Sequence, residues 1–294
     1  MDRKATCSCG SGKRYEQCHG RVTGPGSVTG SAAEAGAGPD TGGGDRLQLV
    51  NFVIAGTQKG GTTALDRYLR HHPDVEMAVK KEVHFFDRDE AFRAEPVDYA
   101  AYHANFAAGL PRRLRGESTP IYMYWESAPE RMARYNPALK IIILLRNPIT
   151  RAYSHWNMQR TVKKRETLPF LDALRAEPER IRAAMPQQVR FFSYVDRGFY
   201  SRQLRRLWRH FPAEQMLILK SVDLQKATAE TLQRIAEFLR LRPFPRFPTN
   251  VGTAHYERPM SQEERQYLAA VFADEIRELE GLLGWDCAGW LASP

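Results

Sequence analysis

Asn51-Phe-Val-Ile-Ala55-Gly56-Thr-Gln-Lys59-Gly60-Gly61-Thr62-Thr63 decides the fold of this chain. Asn51 to Ala55 is a short apolar run of the kind that makes a buried strand. A glycine-rich turn follows at once. Ala64-Leu65-x-x-Tyr68-Leu69 then has the spacing of one helix face, ending near His71-His72-Pro73. Strand, turn and helix together aim backbone N–H groups and the positive end of a helix dipole at one spot. An anion belongs there, and a phosphate is the expected one. The layout is that of a P-loop, whose pattern is Gly-x-x-x-x-Gly-Lys-Ser/Thr. Here Lys59 precedes the glycine pair and the loop is shorter, which argues against a nucleoside triphosphatase or an ordinary kinase.

A second strong strand, Lys140-Ile-Ile-Ile-Leu-Leu145, runs into Arg146-Asn147-Pro148 and then a helix through Ser154. Pro148 suits the first turn of that helix. Arg146 is placed at the carboxyl end of a buried strand, where ligands bind in open α/β sheets. Ser154 lies about two turns into the helix. An arginine and a serine so placed can hold a second phosphate. The plain alternative, a surface arginine and an unremarkable helix serine, stays open on these residues alone.

The whole chain has 294 residues, 43 % of them hydrophobic and 26 % charged, which is ordinary globular composition. Its longest aliphatic run, Ile141 to Leu145, is far short of the ~18 apolar residues of a membrane span. The polar first residues lack the apolar stretch of a secretory signal. The expectation is therefore a soluble, cytoplasmic protein without a transmembrane segment. Lys and Arg outnumber Asp and Glu by 43 to 34, a net charge of +9 that favours an anionic partner. Nucleic acid is not expected, because no recognised binding module accompanies the charge.

Three of the four cysteines crowd the front of the chain, in Cys7-Ser-Cys9-Gly-Ser-Gly-Lys-Arg-Tyr-Glu-Gln-Cys18-His19. Three thiolates and an imidazole complete a tetrahedral shell for zinc, and a closed shell is structural rather than catalytic. The segment resembles the zinc knuckle at the carboxyl end of the preprotein translocase motor SecA, the SEC-C motif, which is found as an addition to many bacterial proteins. The resemblance implies zinc on Cys7, Cys9, Cys18 and His19, a bacterial source and a protein partner for the knuckle. Gly, Ser, Ala, Thr and Pro dominate the stretch to Asp45, a flexible linker by composition. The expected organisation is a knuckle over 1–20, a linker over 21–46 and one domain over 47–294.

Lys59-Gly-Gly-Thr-Thr-Ala-Leu and Arg146-Asn-Pro-x-x-Arg-Ala-Tyr-Ser154 together resemble the two signatures of sulfotransferases that use 3′-phosphoadenosine 5′-phosphosulfate (PAPS). The match is closest to the heparan sulfate branch, through Lys81-Glu82-Val-His84-Phe-Phe-Asp87 and Gly116-Glu117-x-Thr-Pro120-x-Tyr122. It continues through Gly198-x-Tyr200-x-x-x-Leu204-x-x-Trp208 and Met216-Leu-Ile-Leu219, covering residues 50–290. The resemblance implies a three-layer, P-loop-like α/β domain with a mainly parallel sheet. It implies that Lys59, Gly60, Gly61, Thr62 and Thr63 hold the 5′-phosphosulfate, and Arg146 and Ser154 the 3′-phosphate. Lys59 would neutralise charge on the leaving group. Glu82 would be the general base, with His84 as a competing base or an orienting partner and Asp87 a weaker candidate. The rival reading pairs Glu82 with Lys80 or Lys81 at the surface. At Ser118 much of that branch has a lysine that reaches the reaction centre, and serine cannot supply its charge.

The expected activity is in-line transfer of a sulfuryl group to a hydroxyl or amine of a small molecule, lipid or glycan. The alternatives are a nucleotide kinase-like phosphotransferase and an inactive interaction protein built around the knuckle. Basic runs at Arg112, Arg113 and Arg115, at Lys163 to Arg165, and at Arg202, Arg205, Arg206 and Arg209 read as solvated faces rather than as an acceptor path. Ser261-Gln-Glu-Glu264 reads as a capping box opening a helix through Leu283. Trp285, Trp290 and Leu291 are expected at the sheet's edge. The loop Asn250 to Pro259, with Tyr256 and Arg258, is placed where it could close over the donor.

Overall fold

The computed structural model describes residues 49–106, 114–245 and 255–292. The knuckle ligands Cys7, Cys9, Cys18 and His19 and the linker lie outside them. The chain divides into two units, Met1–Arg46 and Leu47–Pro294, and every described residue belongs to the second.

Five parallel strands form one sheet: β1 (Phe52–Gly56), β2 (Val75–Met77), β3 (Leu114–Ser118), β4 (Lys140–Leu145) and β5 (Met216–Lys220), in the order β2-β3-β1-β4-β5. The helices are α1 (Thr62–Arg70), α2 (Ala100–His103), α3 (Ala128–Tyr135), α4 (Pro148–Asn157), α5 (Phe170–Ala184), α6 (Tyr200–Trp208), α7 (Ser221–Lys226), α8 (Thr228–Leu239) and α9 (Gln262–Leu283).

The near-continuous apolar runs of β1 and β4 are explained by burial on both faces. Because side chains alternate along a strand, Val53, Ala55, Ile141, Ile143 and Leu145 meet α3 and α6 on one side. Phe52, Ile54, Ile142 and Leu144 meet α1 and α8 on the other. Each of these side chains except Ala55 contributes roughly 1.5–3 kcal/mol of burial. A third cluster joins α4, α5 and α9 through Trp156, Phe170 and Phe272. The three-layer α/β expectation holds.

β1 is the pivot. The chain leaves it for β2 and β3 on one side and reaches β4 and β5 on the other. The carboxyl ends of β1 and β4, adjacent in the sheet, therefore flank a switch point where open α/β sheets bind ligands.

The capping box is formed: Ser261 accepts from the Glu264 N–H and Glu264 from the Ser261 N–H, opening α9. Trp285 sits on the sheet edge, its ring 5.2 Å from Lys220 Nζ of β5. Trp285 and Trp290 pack against both the sheet-face cluster and the α4–α5–α9 cluster, whereas Leu291 packs against the latter alone; the Trp290 carbonyl takes a 2.8 Å hydrogen bond from Asn147. The basic runs are not uniformly solvated. Arg115 is buried against Glu76 at 3.0 Å, and Arg206 is held by the carbonyls of Met123 and Tyr124. Arg202 and Arg205 pair with Asp196 and Glu278. Among the described residues, no helix is long and apolar enough to cross a membrane.

Candidate active site

The turn between β1 and α1 is tied down before any ligand arrives. Thr57 N–H donates to the Leu144 carbonyl of β4 at 3.0 Å, and Gly60 N–H donates to Thr57 O at 2.8 Å. A side chain at Gly60 could not fit, because a Cβ there would lie 2.5 Å from Leu144 O. Gly60 N–H is thus spent inside the turn, unlike the expectation that it faces the ligand. The N–H groups of Gly61, Thr62 and Thr63, at the start of α1, have no backbone acceptor among the described residues, as at any helix start.

Lys59 and Gly61 both adopt left-handed backbone, at φ 70° and 98°. Glycine takes this without penalty; the lysine stores strain of roughly 1–3 kcal/mol, of the kind found at functional sites. Lys59 is half-buried, and burial lowers its pKa. Tyr256 and Glu82 oppose that shift, while Arg146 and Lys81 add to it. All four groups therefore lie within electrostatic reach of its ammonium.

Arg146 follows β4 directly. Its guanidinium donates to Lys59 O at 3.2 Å and to Thr150 Oγ1 at 3.1 Å, so the two strand-end loops are joined. Asn147 caps α4 by accepting from the Ile149 N–H at 2.9 Å, which sets the helix direction. Ser154 is buried. Ser154 and Arg146 both lie beside the Tyr256 hydroxyl. Burial pushes this phenol up, but Ser154 and the Arg146 and Lys59 charges outweigh it and leave it below the usual range. Tyr256 is itself stacked on Tyr153 of α4, with ring planes 7° apart. The structure thus brings Lys59, Arg146, Ser154 and Tyr256 together.

The segment Lys81–Asp87 carries the third group. Glu82 Oε2 lies 3.2 Å from His84 Nε2, and its Oε1 accepts from Lys81 Nζ at 3.4 Å. The surface-type pairing with Lys81 therefore exists beside the contact with His84. His84 Nδ1 lies 2.9 Å from Asp87 Oδ2. Arg190 grips Asp87 twice, through Oδ2 and through the carbonyl at 2.7 Å.

Burial lowers the His84 pKa, but Asp87 and Glu82 outweigh it and raise it to about 9. The imidazole is then doubly protonated at neutral pH and donates to both carboxylates. Burial raises the Glu82 and Asp87 carboxyls, yet the His84 bonds and charge, with Lys81 and Arg190, hold both below the usual range.

The Gly116–Tyr122 motif is the shelf under this segment. Thr119 Oγ1 donates to Glu117 at 2.6 Å and accepts from Val83 N–H at 3.0 Å. Tyr122 OH accepts from Phe85 N–H at 2.9 Å. Burial pushes Glu117 up to about 7 against its hydrogen bonds from Thr119 and Tyr102. Ser118, next along β3, is buried, and its Oγ has no hydrogen-bond partner among the described residues.

Sequence reading missed Arg190, Arg197 and Gln58. Arg197 Nη1 donates to Gln58 Oε1 at 2.7 Å, across 139 positions. No local pattern around Arg190 signals its partner 103 positions earlier. Among the described residues, no cluster of three or more His, Cys, Asp or Glu is arranged to hold a metal.

A strand–turn–helix unit at the switch point of a parallel five-stranded sheet defines an α/β domain of P-loop-like type. More narrowly, the chain belongs to the sulfotransferase domain family, which matches residues 50–246. The SEC-C motif matches residues 3–21. Heparan sulfate glucosamine 3-O-sulfotransferase 3B1 of Mus musculus is 34 % identical over 240 residues, covering 79 % of this chain and 54 % of that one. The 3A1 enzyme of Mus musculus is 36 % identical over 202 residues, covering 66 % and 47 %. This chain therefore spans about half the length of these curated relatives. A solved sulfotransferase from Alicyclobacillus acidocaldarius superposes with a TM-score of 0.72 at 30 % identity, covering 83 % of this chain and all of that one.

Proposed function

We propose that this chain moves a sulfuryl group from PAPS to a hydroxyl or amine of a small molecule, lipid or glycan, with Glu82 as general base. The observation that carries the reading is the junction of Lys59 and Arg146 at adjacent strand ends, with Glu82 in electrostatic reach of Lys59. The donor site fits. The N–H groups of Gly61, Thr62 and Thr63 and the Lys59 ammonium suit a 5′-phosphosulfate. Arg146 and Ser154, both beside the Tyr256 hydroxyl, suit the 3′-phosphate. Bound PAPS supplies a sulfuryl group on an oxygen whose departure leaves negative charge. Lys59 stabilises that charge, and Glu82 takes the acceptor's proton as the new bond forms. His84, an imidazolium, orients Glu82. The glucosamine hydroxyl of heparan sulfate, named for two relatives, is the glycan to try first. Ser118 leaves that acceptor without the lysine of the resembling branch.

Calorimetric titration with adenosine 3′,5′-bisphosphate, 5′-AMP and ATP tests the donor. The bisphosphate is expected to bind best. Arg146→Ala is expected to lower its affinity by about 10- to 100-fold while changing 5′-AMP little, the range for a hydrogen bond to a charged group. Equal or better binding of ATP would move the protein to the kinase reading.

We also assign structural zinc to Cys7, Cys9, Cys18 and His19, on the SEC-C match and the ligand chemistry. Such thiolates and the unpaired Cys287 fit a reducing, cytoplasmic setting. Metal analysis of the purified chain is expected to give one zinc per chain, lost in the Cys7→Ser/Cys9→Ser variant. Zinc that stays far below one equivalent after reconstitution would overturn this.

A further inference from the structure

We propose that Arg190 is a positioning residue for the transfer step: by clamping Asp87 it fixes His84, and through His84 it aims the Glu82 carboxylate. The inference rests on the reading of Glu82 as the base. Three observations carry it.

First, Asp87 is wholly buried, and its Oδ1 has no partner among the described residues. Such a carboxylate holds its place and charge only if it is paired. Arg190 meets both its side chain and its own carbonyl, so backbone and carboxylate are pinned together. The Arg190 guanidinium is in turn seated 4.7 Å from the Trp125 ring centre.

Second, His84 stands in left-handed backbone at φ 57°. A strained residue persists where its surroundings over-determine it. The Thr119 and Tyr122 contacts hold its neighbours Val83 and Phe85, whereas Asp87 and Glu82 hold the ring.

Third, the same segment reaches the donor loop. Arg197, fully buried, donates to the Arg190 carbonyl, to Ser193 Oγ at 2.8 Å and to Gln58 Oε1 at 2.7 Å. Gln58 precedes Lys59. A continuous path therefore runs Gln58–Arg197–Arg190–Asp87–His84–Glu82, registering the base against the loop beneath the reacting bond. In-line transfer is sensitive to such register; a displacement of about 1 Å can lower rate by about 10²-fold.

The experiment compares the full chain with Arg190→Ala and Arg190→Lys. Alanine keeps the backbone carbonyl that Arg197 uses, so affinity for adenosine 3′,5′-bisphosphate should not change, which also reports folding. The deciding readout is the NMR titration of the His84 ring, which needs no acceptor. The charged and titratable groups around it are Lys81, Glu82, Asp87, Arg190 and, behind Asp87, Glu117 and Tyr122. If Arg190 holds Asp87 in place, its loss frees Asp87 and the His84 midpoint falls from about 9. If Arg190 is only a neighbouring positive charge, its loss raises that midpoint, and the proposal fails. Turnover, read as sulfate released from PAPS to water or to a heparan sulfate oligosaccharide, should fall by about 10- to 100-fold in kcat. Lysine should restore part of it, since one ammonium cannot reproduce the two-pronged contact. An unchanged kcat, or a loss confined to acceptor KM, would overturn the assignment. Full turnover in Glu82→Gln would instead remove the base reading, whatever Arg190→Ala does to His84.

Discussion

Lys59→Ala is expected to lower kcat at saturating donor by at least about 10²-fold, or about 2.7 kcal/mol of barrier. The lysine is half-buried in a left-handed turn. Burial and the neighbouring Arg146 and Lys81 charges disfavour its cationic form, against Tyr256 and Glu82. In the proposed reaction this ammonium would meet the negative charge growing on the leaving phosphate, an interaction stronger in the transition state than in the ground state, which is the condition for raising kcat. Lys59→Arg keeps the charge but spreads it over a planar fork, and only partial recovery is expected. Measuring kcat and donor KM separately decides the matter. A variant that raises donor KM and leaves kcat intact would show that Lys59 merely binds the donor.

Much of this site is legible in the sequence because its parts are local. The β1 run, Lys59 and the glycine pair are contiguous, and β4 with Arg146 and the Asn147-Pro148 helix start is contiguous too. Local patterns of that kind follow from strand burial and helix capping. The strand read over Lys140–Leu145 is the strand observed. What stays hidden is set by tertiary contacts. Nothing near Gly60 says that its N–H closes on Thr57, because the constraint comes from Leu144 on another strand. Nothing near Arg190 points to Asp87. The basic positions Arg115 and Arg206 look like surface charge until burial against Glu76 and two carbonyls is seen. The His84 contacts are half legible: the Glu82-x-His84-x-x-Asp87 spacing is plain, but a doubly donating imidazolium between two carboxylates is set by how the segment folds.

Glu82→Gln is expected to lower kcat by at least about 10²-fold, within the range for general base catalysis, with the fold and bisphosphate binding intact. Glutamine keeps the shape and can still accept from His84, so lost turnover would isolate the proton-accepting role. The wild-type pH profile carries the second half of the argument. The Glu82 carboxyl is held below the usual range, chiefly by His84 and Lys81 against the opposing effect of burial. Its ionised form therefore survives into acid, and activity should fall only as pH drops through that lowered value. His84 is raised to about 9, so the imidazolium that orients Glu82 is present below that pH and lost above it. The profile should be a broad plateau with an alkaline fall near 9. The same linkage acts on stability. The His84 contribution is full below its unfolded value, roughly 6.5, and is lost as pH rises through about 9; the Glu82 and Asp87 contributions are lost as pH falls through their lowered values. Any carboxylate is a weak base toward a free hydroxyl, so in the proposed mechanism Glu82 would take the proton as bond formation to sulfur makes that hydroxyl acidic. An acid limb that persists in Glu82→Gln, or turnover close to wild type, would show that some other group accepts the proton.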